Sequence, residues 1–205
     1  MSSKEQRSVE QVRQLLSALG FSGARVHPAS PPRPDVFAEI GSRRIAIETT
    51  DYHGDETSRR GSAVRRDEEQ DAREGRTRAH TLPAASLPGL VSRIQAKVKK
   101  HYELSPTDEA WLAIFAGVTQ PGAAAATLLV TSFIDCEQLT ICTAPLLEAS
   151  VFHRCYIFCK LTEAGQPKLY LWEKGRAWTE VTLPSQATPG PVPTFWDIQK
   201  LFGKT

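Results

Sequence analysis

Two carboxylates near the start of the chain are the residues best suited to chemistry. Asp35 follows a proline at the start of an extended segment, and Glu48 comes later in an otherwise apolar run. Two carboxylates held close together repel each other unless they share a proton or bind a cation. Hard divalent cations such as Mg²⁺ bind to one or two carboxylates together with water and phosphate oxygens. Asp35 and Glu48 are therefore candidate ligands of a divalent metal, provided that the fold brings them together.

A β-hairpin is predicted to bring them together. Residues 35–40 and 44–50 are rich in β-branched and aromatic side chains, and Gly41-Ser42-Arg43 separates them. This pattern is typical of two antiparallel strands joined by a short turn. Because side chains alternate along a strand, Glu48 and Thr50 share one face of the second strand.

The segment before the hairpin is predicted to be a helix. Between Val9 and Leu19 its apolar residues recur at spacings of three and four, which forms one apolar stripe. Gly20 follows as a helix stop. Glu5 lies one helical turn before Val9, so we expect this carboxylate on the inward edge of the helix.

A second amphipathic helix is predicted from Leu87 to Tyr102. Lys97 lies on the border of its apolar stripe, whereas Lys99 and Lys100 point further outward.

The rest of the chain continues the alternation of helices and strands. Further strands are predicted at Trp111–Gly117, Arg154–Lys160 and Lys168–Trp172. A helix is predicted in the stretch that runs from Pro121-Gly122 toward Leu139. The order α-β-β-α-β-α-β-β indicates an α/β fold with a mixed β-sheet flanked by helices.

Residues 1–183 are predicted to form a single domain, followed at 184–205 by a proline-rich tail with a short closing helix. Residues 51–80 differ in kind from the rest of this domain. They include seven arginines, eight acidic residues and one large aliphatic side chain, Val64. The segment cannot bury a face, so it is either a flexible insertion or an arginine-bearing lid that orders on a partner. The second interpretation predicts a homodimer or a protein partner through this segment.

The predicted elements resemble the PD-(D/E)xK nuclease superfamily, whose restriction-endonuclease-like fold has an αβββαβ core. The matching residues are Pro34-Asp35 at the start of a strand, Ile47-Glu48-Thr49-Thr50 at the end of the hairpin, and Glu5 on the helix before it. The resemblance extends from this helix through the predicted strand at Trp111–Gly117, and the later strands would be additions to the core. It implies a nuclease that hydrolyses phosphodiester bonds of DNA or RNA with Mg²⁺ or Mn²⁺.

The resemblance also implies a role for each matching residue. Asp35 and Glu48 would be the metal ligands, and the backbone carbonyl of Thr49 would complete the protein's share. Glu5 would orient a metal-bound water or bind a second ion. The metal would polarise a phosphodiester and lower the pKa of the attacking water.

One position departs from the family pattern. The family places a lysine two residues after the glutamate, where it orients the water and stabilises the developing charge, and this chain has Thr50 there. Some members carry this lysine on a neighbouring helix, and Lys97 is the candidate for it here. The alternative interpretation of Lys97 is a surface lysine whose aliphatic stem covers the apolar stripe.

The other site residues also have interpretations without catalysis. Asp35 would hydrogen-bond its own backbone at the entry of a strand, and Glu5 would be favoured by the helix dipole. If the whole motif is a coincidence in an unrelated α/β scaffold, Asp35 and Glu48 should point apart or pair with Arg43 or Arg44. A third possibility is a nuclease-like module that has lost cleavage and binds nucleic acid or a protein.

The composition excludes several other classes of protein. With 25 Lys+Arg against 23 Asp+Glu, the net charge of +2 excludes a broadly basic, histone-like protein. No apolar run is long enough for a transmembrane helix, so no membrane partner is expected. The four cysteines lack the close pairs of a zinc site and are expected to be reduced thiols. No signal peptide is visible, and a cytoplasmic location is expected.

Binding to a phosphate backbone would require local basic surface. Arg43 and Arg44 at the hairpin turn, together with Lys99 and Lys100 at the end of the second helix, are the candidate nucleic-acid-binding residues. Small nucleases of this kind often belong to mobile elements or defence systems, and that expectation is a fold-level analogy.

Overall fold

The computed structural model describes residues 3–29, 32–52, 70, 73–75, 86–106, 108–116, 134–159 and 167–183. The helices in these ranges are α1 (Ser3–Ala18), α2 (Leu87–Val98) and α3 (Cys136–Glu148). The strands are β1 (Arg25–Pro28), β2 (Val36–Ile40), β3 (Arg43–Tyr52), β4 (Glu109–Ala116), β5 (Arg154–Cys159), β6 (Lys168–Glu173) and β7 (Thr179–Val181). Their order along the chain is α1-β1-β2-β3-α2-β4-α3-β5-β6-β7.

The strands form one mixed sheet, and their order in space equals their order in the sequence. β1, β2 and β3 pair antiparallel, β3, β4 and β5 pair parallel, and β5, β6 and β7 pair antiparallel. Parallel neighbours need a crossover connection, and α2 and α3 lie in the two crossovers on either side of β4. The fold is therefore mixed α/β, as the sequence predicts.

Helices pack on both faces of this sheet. On one face the apolar stripe of α1 joins the core cluster that includes Val12 and Ile47. On the opposite face α2 and α3 join the cluster that includes Ile94 and Leu112. Neighbouring residues of the central strands point to opposite faces, and both faces are covered by helices. This explains why the sequence of β4 is a continuous apolar run and not an alternating one.

The first helix and the hairpin lie where the sequence predicts them. Gly20 has a φ of 86°, and the amide of Phe21 donates to the carbonyl of Leu16 at 2.7 Å, which closes α1. Gly41 has a φ of 59° in the turn between β2 and β3, a conformation that glycine adopts without steric cost. The hydroxyl of Ser86 caps α2 by accepting the amide of Gly89 at 3.2 Å.

Four elements differ from the sequence prediction. α2 ends at Val98 and not at Tyr102. β1 was not predicted, because only Val26 of its four residues is buried and the strand carries no alternating pattern. α3 begins at Cys136, after the cap residue Asp135, close to where the predicted helix was expected to end. β7 was not predicted, because its three residues are too short for a pattern.

Several predictions lie outside the described residues: the start of the helix after Pro121-Gly122, most of the 51–80 insertion, and the tail at 184–205. No helix in the described ranges has the length and the apolar content needed to cross a membrane.

The pairing register leaves one end of β3 without β2 beside it. Val36, the first residue of β2, pairs with Ile47, whereas β4 accompanies β3 as far as Tyr52. Among the described strands, Glu48–Tyr52 therefore has a neighbour on one side only. We call this stretch the open edge of β3. Asp35, α1 and α2 all meet it.

Candidate active site

Asp35 lies at the entrance to β2, beside the open edge of β3. Its Oδ2 accepts hydrogen bonds from the amide and the hydroxyl of Thr49, each at 3.0 Å. Its Oδ1 lies 3.3 Å from Nζ of Lys4 on α1. Burial raises the pKa of Asp35, but the Thr49 amide and the Lys4 and Lys97 cations outweigh it, so the net pKa lies below 3.8. Asp35 is therefore an ionised carboxylate that contacts the partner strand.

A buried pair of hydroxyls holds this carboxylate in place. Ser8 on α1 is buried, and its Oγ lies 2.9 Å from Oγ1 of Thr49. The Thr49 hydroxyl donates its one proton to Asp35, so Ser8 must be the donor within the pair. The resulting chain, Ser8 to Thr49 to Asp35, connects α1 to both strands of the hairpin.

Glu48 points to the other face of β3, toward α2. Its side chain is 4% exposed, and its Oε1 accepts a hydrogen bond from Nζ of Lys97 at 2.6 Å. Nζ of Lys100 lies 3.3 Å from the same oxygen. Nζ of Lys97 also donates to the backbone carbonyl of Thr49 at 2.9 Å. One ammonium group thus bridges two of the three oxygen donors that the resemblance assigns to the metal.

The electrostatics of Lys97 reflect this position. Burial lowers its pKa from 10.5, Glu48 and Asp35 oppose that effect, and the neighbouring Lys100 adds to it, with a net lowering. Tyr102, just after α2, donates from its hydroxyl to the carbonyl of Lys97 at 3.1 Å. Burial, followed by the charges of Glu48 and Asp35, raises the pKa of Tyr102, so its phenol remains a hydrogen-bond donor.

The predicted site residues fall into two groups in the structure. Asp35, Glu48, Thr49, Lys97 and Lys100 come together at the open edge of β3. The contact between Asp35 and the partner strand replaces the local backbone contact that was the alternative interpretation of this residue.

The remaining predicted residues are Glu5, Lys99, Arg43 and Arg44. Glu5 is half-buried on α1, next to Lys4, and Lys99 is exposed. Arg43 pairs with Glu109 at the opposite end of β3.

Arg44 lies at that same end of β3. Its Nε is 3.6 Å from Asp108, and its guanidinium lies 4.0 Å from the ring centroid of Phe37. Both hairpin arginines therefore contact acidic residues around β4 and not the Asp35–Glu48 pair.

Three residues of the site were missed from the sequence: Lys4, Ser8 and Tyr102. Lys4 and Ser8 are one helical turn apart, and Leu15, which is fully buried, continues the same face. That spacing is present in the sequence, but the apolar stripe through Val9 predicts Glu5, and not Lys4 or Ser8, as the inward polar residue. Tyr102 was predicted to be the last residue of the second helix, but α2 ends at Val98, so the helical pattern did not indicate the contact of Tyr102 with the Lys97 carbonyl.

The donor set is suited to a hard divalent cation. Two carboxylates and a backbone carbonyl offer oxygen ligands only, and Mg²⁺ commonly takes one or two carboxylates and completes its shell with water and phosphate oxygens. In the described part of the chain no three His, Cys, Asp or Glu side chains group closely enough to hold a metal ion. A cation here would therefore bind Asp35, Glu48 and the Thr49 carbonyl, with the other positions open to water and substrate.

Comparisons of this chain with protein-family models, with curated proteins and with solved structures find no match.

Proposed function

We propose that the protein is a divalent-metal-dependent nuclease of the PD-(D/E)xK type that hydrolyses phosphodiester bonds of DNA or RNA. The observation that supports this most directly is the position of Lys97. Its Nζ lies 2.6 Å from Glu48 and 2.9 Å from the Thr49 carbonyl, and Thr49 in turn contacts Asp35. A lysine from α2 thus supplies the ammonium that the family usually carries at the position of Thr50.

The order of elements supports the same proposal. The chain runs α1-β1-β2-β3-α2-β4 before its later additions, which is the αβββαβ order expected of a restriction-endonuclease-like core. The carboxylates lie at the entrance of β2 and in the middle of β3, and the lysine lies on the helix that follows.

The side chains divide the work of hydrolysis among them. Asp35, Glu48 and the Thr49 carbonyl would hold the metal, which would polarise a phosphate oxygen and lower the pKa of a bound water. Lys97 lies within hydrogen-bonding reach of the Glu48 carboxylate. Its ammonium therefore orients the attacking water and stabilises the developing negative charge. The exposed Lys4 and Lys100 offer further cations to the phosphate backbone.

An alternative function is a catalytically inactive module with the same fold that binds nucleic acid or a protein partner. The observation that favours it is again Lys97, because its ammonium contacts Glu48 and the Thr49 carbonyl together. If that ammonium is the permanent counter-ion of Glu48, the site needs no metal and performs no hydrolysis.

A cleavage assay on single- and double-stranded DNA and RNA, with Mg²⁺, Mn²⁺ or EDTA, tests the nuclease proposal. We expect metal-dependent cleavage by the natural chain and its loss in Asp35→Asn and Glu48→Gln. The matched control is Glu10→Gln, an exposed carboxylate of α1 bonded to Gln14, which should cleave normally. Absence of cleavage on every substrate and metal, combined with retained nucleic-acid binding, would instead favour the inactive module.

A lysine-relocation experiment separates the catalytic role of Lys97 from a structural one. Lys97→Met should abolish cleavage, and adding Thr50→Lys to that variant should restore part of it, because residues 48 and 50 share one face of β3. Thr50→Met in the same background carries a similar stem without the charge and should restore nothing. Full activity of Lys97→Met alone would contradict the role proposed for this lysine.

A further inference from the structure

Each of the three groups that the proposed function assigns to the metal has an oxygen in contact with a lysine ammonium. Asp35 Oδ1 lies 3.3 Å from Lys4, and Glu48 Oε1 lies 2.6 Å from Lys97 and 3.3 Å from Lys100. The third donor, the Thr49 carbonyl, accepts a hydrogen bond from Lys97 at 2.9 Å. Lys4 lies on α1 and Lys97 on α2, which pack on opposite faces of the sheet, and Lys100 lies just after α2. The three ammonium groups meet at the open edge of β3.

We propose that Lys4, Lys97 and Lys100, here called the lysine cap, form a displaceable counter-cation that neutralises the carboxylates in the metal-free protein. A divalent cation then binds by displacing the lysine cap from Asp35, Glu48 and the Thr49 carbonyl. The inference rests on the proposed function for the identity of these ligands, and it adds that the lysines compete with the metal.

The burial of Glu48 explains why a cation is needed there in the metal-free state. Its side chain is 4% exposed, and an unpaired buried carboxylate is strongly unfavourable. Lys97 is the partner with the deeper side chain, at 12% exposure. Lysine is suited to this function because its ammonium sits on a flexible stem of four carbons and can leave without moving the backbone.

The three lysines differ in how readily they can be displaced. The side chains of Lys4 and Lys100 are 79% and 55% exposed, so their ammonium groups can be hydrated as soon as they leave. Lys97 has less access to water, and its displacement should dominate the competition with the metal. At Asp35 the Oδ2 atom is fixed by Thr49. The Oδ1 atom, which contacts Lys4, is therefore the oxygen available to a cation that displaces Lys4.

Displacement has a consequence for the substrate. The ammonium groups remain on α1, on α2 and on the segment just after α2, beside the metal ligands. They become available to an anion next to the bound cation. The anion that suits lysines and a hard divalent cation together is a phosphate group. Metal binding should therefore strengthen the binding of a phosphodiester beyond the attraction of the metal itself.

The test is a titration of the full chain with Mn²⁺ alone. Binding is measured by calorimetry and by the electron paramagnetic resonance signal of free Mn²⁺. We expect Lys97→Met to bind Mn²⁺ about tenfold more tightly than the natural chain, or about 1.4 kcal/mol. Lys100→Met should show a smaller gain in affinity. The matched control is Lys174→Met, an exposed lysine whose ammonium donates to the Ser150 carbonyl, and the affinity of this variant for Mn²⁺ should be unchanged.

Thermal unfolding gives a second readout for the same variants. Lys97→Met should be less stable than the natural chain without Mn²⁺, and its midpoint should rise more when Mn²⁺ is added. If Lys97→Met does not fold, Lys100→Met decides the question, because its half-exposed side chain is not needed for folding.

Equal or weaker Mn²⁺ binding by the folded lysine variants would overturn the inference while leaving a metal-binding nuclease intact. Absence of Mn²⁺ binding in the natural chain and in every variant would overturn both the inference and the metal dependence of the proposed function. Binding by Lys97→Met but not by the natural chain would support the lysine cap in its strongest form.

Discussion

The two ends of β3 each carry an ion pair, and the pairs differ in burial and in the elements that they connect. At the start of the strand Arg43 meets Glu109 of the adjacent β4, with side chains 52% and 22% exposed. In the second half of the strand Glu48 meets Lys97 of α2, with side chains 4% and 12% exposed. The first pair joins two neighbouring strands in contact with water. The second pair joins a strand to a helix and is largely shielded from water.

This difference separates a structural pair from a candidate functional one. An exposed pair contributes little, and its residues are readily replaced. A buried pair costs desolvation on both sides, and apolar residues of similar size often stabilise a fold as well or better. Stability alone therefore does not account for Glu48 and Lys97. A requirement for a carboxylate and an ammonium beside Asp35 does account for them.

The largest expected effect is on stability when the buried pair is broken. Lys97→Met should lower the free energy of unfolding by about 3 kcal/mol, because it leaves the Glu48 carboxylate with only the longer contact to Lys100. Arg43→Met should lower it by less than about 1 kcal/mol. Urea denaturation monitored by tryptophan fluorescence measures both. Equal losses in the two variants would remove the distinction between the two ends of β3.

A double replacement sharpens this first prediction. Glu48→Leu combined with Lys97→Met removes both charges, so most of the lost stability should return. Mn²⁺ binding, which Lys97→Met alone should strengthen, should be lost in the double variant, because a metal ligand is gone. A folded, stable double variant without metal binding would show that the pair is retained for its chemistry and not for the fold.

Much of this site could be predicted because its parts are encoded locally. The hairpin follows from two extended runs around Gly41, and its register alone places Asp35 near Glu48. Lys97 could be proposed because it lies at the border of an apolar stripe and because Thr50 takes the usual position of the lysine. In each case a short stretch of sequence determines the geometry.

The parts that could not be predicted depend on packing between distant elements. Ser8 meets Thr49 and Lys4 meets Asp35 because of the angle at which α1 crosses the hairpin, and no local pattern determines that angle. The same holds for the contacts of Arg43 and Arg44, the candidate nucleic-acid-binding residues at the hairpin turn. Their partners belong to β4 and the residue before it, which reach β3 only after the long crossover through α2.

A smaller effect is expected when the hydroxyl that holds Asp35 is removed. Thr49→Val keeps the size of the side chain but removes one of the two donors to Oδ2 and leaves Ser8 without its partner. Because groups that orient a metal ligand commonly change metal affinity by 10- to 100-fold, we expect Mn²⁺ affinity to fall by about tenfold in calorimetry. Thr49→Ser retains the hydroxyl and should bind Mn²⁺ almost normally. A fall in Thr49→Ser as large as in Thr49→Val would indicate a packing defect instead.

The smallest expected effect is on the pH dependence of stability, and it distinguishes the contacts of Asp35 from an exposed ion pair. The pKa of Asp35 in the folded chain is below its usual 3.8, so the folded state binds fewer protons than the unfolded state near that pH. Asp35 therefore contributes stability above this range, and the contribution is lost as the pH falls through its folded pKa. Between about pH 5 and 3, the free energy of unfolding of the natural chain should fall more steeply than that of Asp35→Asn.

The Thr49 amide lowers the pKa of Asp35 more than Lys4 does, so Lys4→Met should preserve most of this steep fall in the free energy of unfolding. If Lys4→Met removed it, Asp35 would behave like a surface ion pair, and the two ends of β3 would be held by the same kind of interaction.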